Sequence, residues 1–172
     1  DPLTDLPVCD AGDVTMPPGE IHRALAALRG AVTTVLGAGA IPVVLGGDHT
    51  TAMADVQALA EHYGAGRISV IHFDAHADTG DVEFGSLYGH GQPFRRLIES
   101  GALAGERFVQ VGLRGYWPEP QTLAWMARQG IRSFEMAEIG ARGLDDVLAE
   151  ALEVAGRDSD GVFLSVDIDV VD

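Results

Sequence analysis

Short apolar, β-branched runs that alternate with amphipathic helical stretches constrain this chain more than any other feature. Ile41-Pro42-Val43-Val44-Leu45 ends at Gly46-Gly47, and Ile68-Ser69-Val70-Ile71-His72-Phe73 ends at Asp74. Phe108-Val109-Gln110-Val111 stops at Gly112, and Val162-Phe163-Leu164-Ser165-Val166 at Asp167. Residues 6–9 and 131–134 are shorter candidates. Runs with little polar alternation suit strands covered on both faces, as in a parallel sheet. Between them, 18–36 carries Ile21, Ala24, Leu25, Leu28, Val32 and Val35 mostly at helical spacing, with Pro18 near its start and Gly37 just past its end. Segments 50–62, 92–100, 118–128 and 144–155 read as helices in the same way. About six strands and five helices in alternation predict an α/β sandwich around a parallel sheet. Such sheets bind ligands at the carboxyl ends of their strands.

Composition narrows the function. A chain of 172 residues, 47% apolar and 22% charged, suits a single domain with a substantial core rather than disorder. Against 26 Asp and Glu stand 11 Lys and Arg, a net charge of −15. That balance argues against nucleic acid or an anionic membrane as partner, because phosphates call for concentrated basic side chains; cations, metals and basic small molecules stay open. Cys9 is the single cysteine, so no intrachain disulfide forms, and it is expected to be a small buried apolar residue. No apolar run approaches the roughly 18 residues of a membrane span, and Asp1-Pro2-Leu3 does not open a secretion signal, so a cytoplasmic protein is expected.

Three strand ends are loaded with metal-ligating residue types: Gly46-Gly47-Asp48-His49, Asp74-Ala75-His76-Ala77-Asp78, and Asp167-Ile168-Asp169 with Asp172 close behind. Taken singly, each can also be read as a turn of capping residues. Their joint occurrence points instead to His49, Asp74, His76, Asp78, Asp167 and Asp169 as six ligands. In extended chain, residues two apart share a face, which would let Asp74, His76 and, if the strand persists that far, Asp78 converge. Four carboxylates crowded in a crevice repel one another and would take up protons unless cations neutralise them. Two divalent ions remove that cost, and a carboxylate-rich, thiol-free set suits Mn²⁺ better than a soft-ligand zinc site. Asp48, beside a ligand, is expected to hold backbone rather than metal. His22, His62 and His72 are read as structural, Gly46 and Gly47 as a tight turn, and Trp117 as packing rather than the lining of a pocket or a subunit contact.

These three motifs resemble the signatures of the ureohydrolase (arginase/agmatinase) family. The likeness extends to Asp10-Ala11-Gly12-Asp13, His90-Gly91-Gln92-Pro93-Phe94 and Gly112-Leu113-Arg114-Gly115, and the His-Gly-x-Pro-Phe-Arg stretch is closest to the agmatinase branch. The resemblance implies an arginase-like three-layer α-β-α sandwich and two Mn²⁺. One ion would sit on His49, Asp74, Asp78 and Asp167, the other on Asp74, His76, Asp167 and Asp169. It implies a hydroxide bridging the ions and hydrogen-bonded by Asp78, with His90 shuttling a proton or assisting the leaving amine. The implied reaction hydrolyses a guanidino substrate, most closely agmatine to putrescine and urea in polyamine biosynthesis. Guanidino acids of the guanidinobutyrate type, a formimino substrate, or a non-catalytic metal-binding role are the alternatives.

The segment 79–89 holds Asp81 and Glu83 and no Lys or Arg, so an acidic rim is expected to favour a cationic substrate tail, with Glu83 as a substrate contact. By resemblance, segments would precede Asp1 and follow Asp172, with a Pro after Asp172 and a later glutamate for the guanidinium. Residues 1–172 are thus expected to be the metal-bearing part of one ureohydrolase domain, incomplete at both ends and with an exposed sheet edge. Assembly as a homo-oligomer, a trimer or hexamer, is implied as well.

Overall fold

A computed structural model describes residues 7–116 and 118–171. Trp117, Asp172 and the first residue of the 6–9 strand candidate lie outside the described residues. In chain order the elements are α1 (Ile21–Gly37), α2 (Thr51–Tyr63), β1 (Ile68–Phe73), α3 (Pro93–Glu99), β2 (Phe108–Leu113), α4 (Pro120–Gln129), β3 (Arg132–Glu135), α5 (Met136–Arg142), α6 (Leu144–Gly156) and β4 (Gly161–Val166). Short 3₁₀ turns cover Gly105–Arg107 and Ile168–Val171.

The four strands form one parallel sheet in the order β3-β2-β1-β4. Strand alternation gives it two apolar faces. On one, Val70 and Phe108 pack against Ala52 and Val56 of α2 and Phe94 and Leu97 of α3. On the other, Ile71, Val109, Val111 and Phe134 pack against Val147, Ala151 and Ala155 of α6. Helix α1 buries Ala24, Leu28, Val32 and Leu36, a four-residue repeat that makes one stripe, and sets Leu28, Val32 and Leu36 against Ala54 and Ala58 of α2. The small alanines let the two helices approach closely.

Three expectations fail, and one helix is unforeseen. Residues 41–45 form no strand: Ile41 and Leu45 are 89% and 90% exposed, and residues 7–9 are likewise irregular. The outer edges of the described sheet belong to β3 and β4, and the 41–45 run pairs with neither, so its apolar side chains have no sheet neighbour to cover them. Helix α5 was not expected from the sequence; it is a short surface turn whose residues are all at least partly exposed, held by ion pairs of Arg142 with Glu138, Asp146 and Glu150. Cys9 is exposed rather than buried. Val162, Leu164 and Val166 on the edge strand β4 are also exposed.

The topology places the site. From β1 the chain builds outward through β2 to β3, then returns to lay β4 on the opposite side of β1. Strand order therefore reverses between β1 and β4, and a crevice opens there at the carboxyl ends. Phe73 and Val166 are register partners, so Asp74 and Asp167 leave the sheet side by side.

Candidate metal centre

A cleft of ≈ 360 Å³ at this switch point is lined by His49, Asp74, His76, Asp78, Asp167 and Asp169, together with Asp48, Glu83, His90 and Gly91. All six sequence-predicted ligands, with His90 and Glu83, thus lie around one space. Their convergence does not come from strand pleating. β1 ends at Phe73, and the backbone then turns: the His76 N–H donates to Asp74 Oδ1 at 2.6 Å. Asp167 does the same, accepting the Asp169 N–H at 3.0 Å, and Asp48 accepts the Thr50 N–H at 2.9 Å. Each motif is therefore a turn built on an Asp side chain, and the turn is what aims the next ligand inward. Asp78 takes φ 50, a left-handed conformation uncommon for a non-glycine residue, which folds it back under the cleft. Gly47 has φ 79, which lets the chain reverse into α2 and deliver His49.

Distances define two groups that share Asp74. His49 Nδ1 lies 3.0 Å from Asp74 Oδ2, 2.9 Å from Asp78 Oδ2 and 3.7 Å from Asp167 Oδ2. His76 Nδ1 lies 2.9 Å from Asp169 Oδ2 and 3.4 Å from Asp74 Oδ1, and Asp169 Oδ1 accepts the Ala75 N–H at 3.1 Å. The residues able to hold a cation fall accordingly into His49, His72, Asp74 and Asp78, and Asp74, His76 and Asp169. Asp167 stands between the two, near His49.

The His49 ring tests whether these residues fit a metal. Its Nε2 is 2.6 Å from Ser165 Oγ, which occupies that nitrogen. Its Nδ1 is buried and makes no well-aligned hydrogen bond among the described residues, although two carboxylate oxygens lie within 3.0 Å. A buried ring nitrogen set among carboxylate oxygens without a well-aligned hydrogen bond fits a metal ligand. Burial opposes charge on this ring, but Asp74 and Asp78 outweigh it and push the imidazole up to about 10. Burial likewise opposes ionisation of Asp74, yet contacts from His49, His72 and the His76 amide hold it well below the ordinary carboxylate range. The carboxylates thus demand positive charge, and a divalent cation supplies it in place of a proton. The set of four carboxylates and two imidazoles fits two such cations.

The rim departs from expectation in one respect. Asp81 is paired with Arg95 at 3.2 Å and Arg96 at 3.1 Å, so it does not present a free negative charge. Glu83 remains as the carboxylate of that loop on the cleft. Its backbone pairs antiparallel with Ser86, and its side chain rests against Gly91, where a Cβ would come within 2.6 Å of Oε1. His90 is exposed beside it.

Sequence reasoning missed three contributors. Ser165, read only as part of the apolar run 162–166, holds His49. His72 is buried as expected, but its Nε2 lies 2.9 Å from Asp74 Oδ2. The i, i+2 spacing of His72 and Asp74 was the available signal. Arg114 donates to the carbonyl oxygens of Asp169 and Val170 and so braces the turn that carries Asp169.

A sequence model described as the Arginase family matches residues 1–172. The chain is 37% identical over 166 residues to a proclavaminate amidinohydrolase of Streptomyces clavuligerus, covering 95% of this chain and 51% of that protein. It is 35% identical over 174 residues to a mitochondrial agmatinase of Gallus gallus, covering 99% and 49% respectively. The crystal structure of formimidoylglutamase from Bacillus subtilis superposes with a TM-score of 0.85 at 28% identity, over 93% of this chain and 50% of that one. The chain spans about half the length of the relatives it matches.

Proposed function

This chain belongs to the arginase family, and on that premise we propose that its cleft hydrolyses the guanidino group of a small molecule. The observation that carries the reading is the convergence of the six candidate ligand residues on one crevice, where Asp74 belongs to both groups able to hold a cation. In this reading His49, Asp74, Asp78 and Asp167 hold one Mn²⁺, and Asp74, His76, Asp167 and Asp169 hold the other. The oxygen-rich donor set favours Mn²⁺ over softer ions. Bound there, the two ions offset the clustered carboxylates and acidify a water.

The protein's own groups do the rest. Water adds to the guanidino carbon, the bond from that carbon to the substrate's alkyl nitrogen breaks, and urea and an amine leave. Asp78 accepts a hydrogen bond from the attacking water. His90, exposed at the rim of the cleft, delivers a proton to the departing amine nitrogen. Glu83 faces the substrate tail and favours a cationic one, which makes agmatine, yielding putrescine, the preferred substrate. The lone, exposed Cys9 agrees with a reducing cytoplasmic setting, and assembly into a trimer or hexamer completes the proposal.

A second reading, a guanidino acid or formimino substrate, is favoured by the pairing of Asp81 with Arg95 and Arg96, which leaves Glu83 alone to oppose a carboxylate tail. The test is product release by the full-length, Mn²⁺-loaded protein across agmatine, guanidinobutyrate and formiminoglutamate, repeated in Glu83→Gln. Agmatine turnover with a preference over guanidinobutyrate that falls in the variant is the expected result. An unchanged ratio removes Glu83 from specificity, and metal binding without any turnover removes the enzymatic reading.

A further inference from the structure

Four polar side chains cross the sheet in a single row beneath the cleft. Ser133 on β3 is the register partner of Gln110 on β2, which pairs with His72 on β1, which pairs with Ser165 on β4. His72 and Gln110 are fully buried, where polar atoms require partners. The bonds along the row determine where the protons are. Ser133 Oγ donates to Gln110 Oε1 at 2.8 Å, and Gln110 Nε2 donates to the Ala77 carbonyl at 2.6 Å. These two bonds fix the amide's orientation, because a flipped amide would set its oxygen against a carbonyl oxygen.

The remaining Gln110 N–H faces His72 Nδ1 at 3.5 Å. A ring nitrogen facing an N–H donor offers a lone pair, so Nδ1 is unprotonated and the ring proton sits on Nε2. That N–H is directed to Asp74 Oδ2 at 2.9 Å, while the His76 backbone N–H occupies Asp74 Oδ1 at 2.6 Å. Each Asp74 oxygen therefore accepts one hydrogen bond from the protein and retains a lone pair.

We propose that His72 is a positioning residue of the metal centre. Held as the Nε2–H tautomer by Gln110 and Ser133, it orients Asp74 so that one oxygen serves each of the two ligand groups sharing it. The inference rests on reading the cleft as a metal centre. It assigns a task to a histidine that its depth in the sheet otherwise marks as core, and it gives the Ser133–Gln110 pair a reason to be polar in an apolar layer.

The test uses the full-length protein and two readouts besides turnover. In protein labelled with ¹⁵N-histidine and stripped of metal, His72 is expected to show an unprotonated Nδ1 and a protonated Nε2. Mn²⁺ affinity by titration calorimetry is compared in wild type, His72→Phe and His72→Gln. Phenylalanine keeps a ring against Phe94 and Phe108, 4.5 and 5.6 Å away between centroids, but has no N–H. Glutamine restores an N–H near the position of Nε2. Loss of about 10–100-fold in Mn²⁺ affinity in His72→Phe, largely recovered in His72→Gln, is expected. Wild-type affinity in His72→Phe, or a proton on Nδ1 in wild type, overturns the inference alone. Wild-type protein that binds no Mn²⁺ overturns the metal reading beneath it. The tautomer measurement needs no variant, so it decides even where His72→Phe does not fold.

Discussion

Asp55 offers a test of how burial in this fold acts on charge. It lies on α2, is 4% exposed, and its Oδ1 has no hydrogen-bond partner among the described residues. Burial pushes the carboxyl from 3.8 to about 7. That gap corresponds to roughly 4 kcal/mol, at about 1.4 kcal/mol for each tenfold change in proton affinity. The sign follows from which state holds the proton. Between those two values the native protein keeps Asp55 protonated while the unfolded chain has lost the proton. The contribution to stability is therefore largest below about pH 4, declines as pH rises towards about 7, and is level above it. Urea unfolding of the full-length protein and of Asp55→Asn, followed from about pH 4 to about pH 8, should show the wild type losing on the order of 4 kcal/mol relative to the variant across that window. The buried asparagine amide carries a similar cost at every pH, so it shifts the variant's curve without tilting it. Parallel curves for the two proteins would refute the assignment of an unpartnered, desolvated carboxyl at this position.

Two further perturbations probe the delivery of His49. Ser165→Ala removes the 2.6 Å partner of its Nε2 and should weaken Mn²⁺ binding about tenfold or more by calorimetry, with unchanged affinity counting against any role for Ser165. Gly47→Ala demands φ 79 of an L-residue and brings a Cβ within 2.8 Å of Thr51 Cγ2, whose branched side chain has little freedom in a helix. A loss of about 1–3 kcal/mol in thermal stability is expected, together with lowered metal content. Adding Thr51→Ser should relieve the contact and recover only part of it, because the backbone conformation remains unfavourable.

Much of this site was legible in the chain because its ingredients are local. Apolar runs ending at Asp74 and Asp167 mark where strands stop, and the stretches 18–36 and 144–155 carry their helical stripes in their own spacing. The motif residues were equally legible, since a turn built on an aspartate needs only the two residues that follow it. The mechanism of convergence was not. Pleating was expected to bring Asp74, His76 and Asp78 together, whereas side-chain-to-backbone turns and the left-handed Asp78 do so. The run 41–45 shows the limit of local reading: it is as apolar as a buried strand, yet whether it pairs depends on its reaching a free edge of the sheet, and it reaches neither β3 nor β4.

By itself, then, the sequence determined the parallel α/β character, the strand ends and the six candidate ligand residues, because hydrophobic period and turn chemistry act over a few residues. Only the tertiary structure decided that β4 lies beside β1, making the switch point at which Asp74 meets Asp167. It also decided the register that lines up Ser133, Gln110, His72 and Ser165 under that meeting point. Register joins residues far apart in the chain, and a slip of one residue would turn each of these side chains to the opposite face. Nothing local to any one strand records that choice.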